Sequence, residues 1–256
     1  MRKTISLFIA LAAMLVMAVP ASAIQFGTPD GDDHPQVGMA VFNYPGVSGS
    51  QRCTGTLLSP TVFLTAAHCT AGASFVRVWF TQGPITDPNS FDSTGTAHTH
   101  PLFDNFASFP EFPDTHDLGV VVLATPQPGP YASLAAEGYL DGVKNGARTQ
   151  FDLVGYGVQD ALPPDIVAVR TRYKGEAQLV NTKSTWNAGY NIQLSAAPGT
   201  GGALCHGDSG GPVFLAGTTT IVAVSSFVRN DQCMGSGFAY RTDTTDSLAF
   251  INGFLP

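Results

Sequence analysis

The chain has 256 residues, with 12 Lys and Arg against 19 Asp and Glu, a formal charge of −7, and only 12% of its residues are charged. No basic stretch offers a surface for nucleic acid or for an anionic membrane, and 28 glycines with 18 prolines favour a loop-rich β protein over a helical one. A chain this long buries a large core as one or two domains.

Arg2 and Lys3 open the chain, an apolar run follows from Ile5 to Val19, and Ala21-Ser22-Ala23 closes the segment. This is the pattern of a secretory signal peptide over residues 1–23, and its apolar run is too short for a membrane span. Cleavage after Ala23 leaves 10 basic residues against 19 acidic ones, a formal charge of −9, and a new terminus Ile24-Gln25-Phe26-Gly27. No comparable apolar run follows, so a free, exported protein is expected; a monomer is expected as well.

Short apolar or alternating runs then recur between turn signals and read as strands. Val37 to Phe42, Thr54 to Leu58, Val62 to Thr65, Phe75 to Phe80 and Leu118 to Leu123 form a first group. Thr149 to Val154, Val167 to Tyr173, Gly211 to Leu215, Thr220 to Phe227 and Gly237 to Arg241 form a second. The proline-rich stretch from Thr125 to Pro130 separates them as a linker. The expected division is a first all-β unit over 24–125, a linker over 126–139, and a second unit over 140–256 ending in a short helix near Thr245 to Phe254. No internal repeat is evident.

Four cysteines, Cys53, Cys69, Cys205 and Cys233, are expected to form disulfides in an exported chain. Four cysteines allow three pairings, and their spacing does not choose among them. No C-x-x-C pair occurs, which speaks against a zinc knuckle.

Cys205-His206-Gly207-Asp208-Ser209-Gly210-Gly211-Pro212 is the segment with the most chemistry. A serine hydroxyl becomes a nucleophile only when a base takes its proton and donors stabilise the oxyanion it creates. Glycines around it let backbone N–H groups approach a substrate closely. Leu64-Thr65-Ala66-Ala67-His68-Cys69 offers a histidine fixed between small residues just after an apolar strand, as a base must be to keep one tautomer. Asp117 begins the apolar run His116-Asp117-Leu118-Gly119-Val120-Val121-Val122-Leu123, where a carboxylate carried inward needs a partner such as an imidazole N–H. Gly207 to Gly211 also satisfies the G-x-S-x-G nucleophile elbow, but that fold places its histidine after the serine, and none follows Ser209.

The segments Thr65 to Cys69, His116 to Leu123 and Gly207 to Pro212 together resemble those of the chymotrypsin and trypsin-like serine peptidases, in the order His, Asp, Ser and at intervals of 49 and 92 residues. The resemblance implies two six-stranded antiparallel β-barrels with the site between them, and a secreted endopeptidase acting on protein or peptide substrates. It implies His68 as general base, Asp117 as its orienter and Ser209 as nucleophile, with the N–H groups of Gly207 and Ser209 forming the oxyanion hole. It implies disulfides Cys53–Cys69 and Cys205–Cys233, and an activating pair between an Ile24 ammonium and Asp208. Ser226, Phe227 and Val228 match the strand edge that receives substrate, and the specificity pocket falls to Ala203, Leu204, His206, those three residues and Gly237. Ala203, six positions before Ser209, stands where trypsin-like enzymes carry an aspartate, so small or medium apolar residues are expected before the scissile bond rather than Arg or Lys. A catalytically inactive binding protein and a secreted esterase are the alternatives. No cofactor or metal is expected: His98-x-His100 reads as a surface loop, and Asp30, Asp32 and Asp33 lack the alternation of a calcium loop.

Overall fold

The computed structural model describes residues 24–256 except 112, 147, 148, 165, 198 and 200. The expected signal peptide, 1–23, lies outside the described residues. Among the described residues, fourteen strands and few helices make up the fold. They run β1 (Thr28–Pro29), β2 (Val37–Asn43), β3 (Gln51–Leu57), β4 (Val62–Thr65), α1 (Ala67–Thr70), β5 (Phe75–Trp79), β6 (Ser93–Thr99) and β7 (Gly119–Leu123). After β8 (Ser133–Leu134) and a 3-10 turn at Tyr139–Gly142 come β9 (Gln150–Gly155), β10 (Tyr173–Asn181), β11 (Asn191–Ala196), β12 (Pro212–Leu215), β13 (Thr220–Val228), β14 (Gly235–Arg241) and α2 (Thr245–Asn252).

Strands β2-β3-β4-β7-β6-β5 close into one antiparallel barrel. The second closes as β9-β10-β11-β14-β13-β12, with β12 returning to β9, while β1 adds to β10 and β8 pairs in parallel with β13. This is the two-barrel architecture the motifs imply.

Three strand expectations need correction. β6, Ser-Thr-Gly-Thr-Ala-His-Thr, was not expected because it has no apolar alternation, yet it pairs with both β5 and β7. β11 was likewise not expected. The strand expected at Val167 to Tyr173 instead begins at Tyr173 and runs to Asn181, whose polar residues face outward between buried Tyr173, Ala177 and Leu179.

One apolar cluster joins the barrels. Val37, Leu64, Trp79 and Val120 from the first pack with Val154, Phe214, Val224 and Tyr240 from the second, and with Ile251 of α2. Arg172, 1% exposed, fixes their relative placement. Its Nε donates to Asp30 at 2.7 Å, its Nη1 to the carbonyls of Val37 (3.2 Å) and Phe80 (3.0 Å) and to the Tyr156 hydroxyl (3.2 Å), and its Nη2 to the Gly31 carbonyl. Asp30 also accepts from His34 at 2.5 Å. Burial opposes the Asp30 charge, but hydrogen bonds from His34 and Arg172 outweigh it and hold its carboxyl below the ordinary 3.8. Asp30 therefore stabilises the fold above that ordinary value, and the contribution is lost as pH falls through the depressed folded value. Removing one partner of a buried pair leaves an uncompensated charge. Arg172→Met is expected to lower unfolding free energy by about 3–5 kcal/mol in urea titrations; a loss below about 1 kcal/mol would show the clamp to be dispensable.

Candidate active site

Strand β4 ends at Thr65, and the chain turns into α1, which presents His68 at the barrel rim. The Cys53–Cys69 disulfide ties the following residue to β3, and the Tyr44 hydroxyl donates to the Cys69 carbonyl at 2.8 Å. β7 pairs with β4 from Gly119 onward and sets Asp117 beside His68. The Asp117 carboxylate is fully buried and accepts from His68 Nδ1 at 2.9 Å and from the His68 backbone N–H at 2.9 Å. A third bond, 2.5 Å long, comes from the Ser226 hydroxyl on β13. The resemblance gives Ser226 a place on the substrate-binding edge and in the pocket; its bond to Asp117, 109 positions away, leaves no trace in spacing.

Ser209 reaches the same cleft from the second barrel. The loop from Cys205 to Gly211 is fastened at both ends: the Cys205–Cys233 disulfide holds one, and Gly210 N–H donates to the Ser225 carbonyl at 2.7 Å at the other. Gly207 takes φ +97°, a region closed to ordinary side chains. Thr54 of β3 binds this loop across the barrel boundary, its N–H donating to the Ser209 carbonyl (2.8 Å) and its hydroxyl to the Gly207 carbonyl (2.9 Å).

Asp208 points away from the cleft. Its carboxylate is fully buried and accepts from the N–H groups of Gly157 (2.8 Å) and Cys205 (3.0 Å). A Cβ on Gly157 would lie 2.5 Å from that carboxylate, so only glycine fits. Burial pushes the Asp208 carboxyl up to about 7, against the pull of those two N–H groups and of nearby Arg52. Ile24 is fully buried in the core of the second barrel, against Gly175 and Gly202.

The cleft, about 300 Å³, is lined by Gln51, His68, Phe106, Leu204, Cys205, His206, Ser209, Ser225, Ser226, Phe227 and Val228. His68 and Ser209 thus share one cavity. Leu204, His206 and Ser226 to Val228, which the resemblance assigns to a specificity pocket, line this cleft. Ala203 lies behind the lining, fully buried and paired both ways with the Gln25 backbone at 2.8 Å. Gly237 leaves room for Leu204, whose Cβ would be 3.0 Å from any Cβ placed there. Phe106, not singled out from sequence, packs 5.9 Å from the His68 ring and closes one side. A larger cavity, about 910 Å³, is bordered by Asp33, His34, Lys174 and Glu176; it shares no lining residue with the Ser209 cleft.

Burial alone would depress the His68 imidazole, but the Asp117 charge and hydrogen bond win and raise it above 6.5. The same pairing, with Ser226, holds the buried Asp117 below its ordinary value despite desolvation. A raised imidazole stabilises the fold fully below the unfolded value and loses that contribution as pH rises through the folded one. The imidazole resonances of His68 are expected to titrate above 6.5 in the intact chain and below it in Asp117→Asn, where burial acts unopposed; equal titrations in the two proteins would refute the pairing.

The chain resembles known proteins in sequence and in fold. The Trypsin family model matches residues 27–249. Trypsin alpha of Drosophila melanogaster is 25% identical over 206 residues, covering 75% of this chain and 71% of that protein. Brachyurin of Leptuca pugilator is 29% identical over 174 residues, covering 65% and 72%. A solved HL collagenase structure superposes with a TM-score of 0.68 at 18% identity, covering 86% of this chain and 94% of that one. A family match across nearly all of the described chain, on two closed barrels, makes this protein a member of the trypsin family of serine endopeptidases.

Proposed function

We propose that the chain hydrolyses peptide bonds through an acyl-enzyme formed on Ser209, with His68 as base and then acid, and Asp117 as orienter. The observation that carries this reading is the 2.9 Å bond from His68 Nδ1 to a fully buried Asp117, in a cleft that also holds Ser209. With Nδ1 committed to the carboxylate, Nε2 is the nitrogen left to take the serine proton and return it to the leaving amine. Asp117 stabilises the imidazolium formed in that step. The N–H groups of Gly207 and Ser209 are assigned to the developing oxyanion, in a loop whose carbonyls are engaged by Thr54.

Specificity follows from the lining. No acidic side chain borders the cleft among the described residues, and Leu204, Phe227 and Val228 supply apolar walls. A cationic side chain would enter without a partner, so small or medium apolar residues before the scissile bond are preferred. Ser209→Ala is expected to lower turnover of peptide amides by about 10⁴–10⁶, and a peptide library should show apolar residues at that position. Undiminished cleavage in the variant, or a profile led by Arg and Lys, would overturn the reading.

The reading extends to export and activation. Cleavage after Ala23 would free the Ile24 amine, and an ammonium beside Asp208 would stabilise its ionised form, which burial otherwise opposes. The carboxylate lies on the loop that bears Ser209, so ordering it orders the oxyanion donors. The secreted protein is expected to begin at Ile24 by N-terminal sequencing, and its activity to fall reversibly as pH rises through the amine's folded value, raised above its ordinary ~8. A different start, with full activity, would dismiss this activation step.

A further inference from the structure

Outside the cleft, three elements bring two imidazoles and a carboxylate together. His100 follows β6, His116 precedes β7, and Asp246 lies in the first turn of α2. His100 Nε2 stands 3.2 Å from Asp246 Oδ2, and His116 Nδ1 stands 3.1 Å from the same oxygen. All three ligand atoms lie within 4.8 Å of one another. Two other such groupings, around His68 and His206, draw their remaining members from disulfide-bonded cysteines, which hold no free thiolate. Among the described residues, the His100–His116–Asp246 cluster is therefore the grouping of this kind whose three donors are all open to a cation.

We infer that His100, His116 and Asp246 form a binding site for a first-row divalent cation of the zinc type. Two neutral imidazoles and one carboxylate are a donor set such ions prefer. For bonds of about 2.0–2.1 Å, tetrahedral ligand atoms stand about 3.3 Å apart, close to the 3.1 and 3.2 Å found here. The donors are held before any ion arrives. The His100 ring is 3% exposed, stacked on His116 (4.9 Å between centroids, 8° between planes) and backed by Phe250 at 4.7 Å. The His100 backbone N–H is fixed to the Leu118 carbonyl at 2.9 Å. Asp246 is half exposed, which leaves a path from solvent and a free coordination position for water. Asp114 stands 3.6 Å from His116 Nδ1, its carboxylate tied by the Tyr240 hydroxyl at 2.6 Å, and adds negative charge beside the ion.

Ligation replaces two hydrogen bonds. In neutral His116 the proton that Nδ1 shares with Asp246 moves to Nε2, which frees Nδ1 for the ion. In His100 the proton moves from Nε2 to Nδ1, which breaks the 3.3 Å bond from the Leu102 N–H. His116 adjoins Asp117 and takes a left-handed φ of +47°. An ion seated on its ring would therefore pin the segment that carries the carboxylate proposed to orient His68.

The test is a calorimetric titration of Zn²⁺ into the purified full chain, with Co²⁺ as a spectroscopic substitute. One ion per chain is expected, with a dissociation constant on the order of micromolar and cobalt absorption of four-coordinate intensity. Asp246→Asn, on the exposed helix turn, and His116→Asn, which suits the left-handed backbone, should each weaken binding at least about tenfold. His98→Gln, outside the cluster, should leave it unchanged. Circular dichroism of each variant confirms that the fold is kept. No saturable uptake up to about 1 mM zinc, or uptake undiminished in both cluster variants, would overturn the site.

Discussion

The groups proposed to act together belong to different barrels. His68 and Asp117 stand at the rim of the first, while Ser209 is carried by the second, so the site exists only while the two stay in register. Apolar packing between barrels is non-directional and would tolerate small slides. Directional bonds do not. Arg172 spends all three of its guanidinium nitrogens on this boundary, touching the N-terminal segment, both barrels and the Tyr156 hydroxyl. Thr54 adds a second link nearer the chemistry, since its own backbone belongs to the first barrel and its bonds end on the Ser209 loop. One residue sets the barrels, and the other sets the loop.

In a chain with so few charges, the buried ones are placed with care. Asp30, Asp117, Asp208 and Asp243 are nearly or fully inaccessible, and each is met by donors. Asp30 has Arg172 and His34, and Asp243 takes two bonds from Arg241. Asp117 has His68 and Ser226. Asp208 differs, because only neutral backbone N–H groups reach it directly and burial raises its carboxyl above the ordinary carboxylate range. The first two answer the demands of folding. Asp117 and Asp208 flank the proposed nucleophile's two needs, a base in one orientation and a loop in one shape.

Local motifs were readable where chemistry requires neighbours in sequence. The serine between glycines, the histidine before a cysteine and the aspartate opening an apolar strand each announce themselves within eight residues. Their order against one another points to the family. What spacing cannot carry is contact made by barrel closure. Ser226 meets Asp117, Thr54 meets Gly207, and His100 meets Asp246 only because strands far apart in the chain become neighbours. Strand prediction failed for the same reason. β6 is polar and β10 is charged on its outer face, yet both are held by two flanking strands, and pairing supplies what apolar alternation lacks.

The two cystines are not spread through the molecule. One ends at Cys69, the residue following His68, and the other starts at Cys205, four residues before Ser209. The barrel cores contain no other cross-link among the described residues, so they rest on strand pairing and apolar packing. Loss of the disulfides would therefore loosen the working segments rather than the barrel cores. Such a chain carries its own chemical lock: in a reducing interior the base and the nucleophile loop each lose a covalent tether, and oxidation of four thiols to two disulfides is what brings the site to its final stiffness.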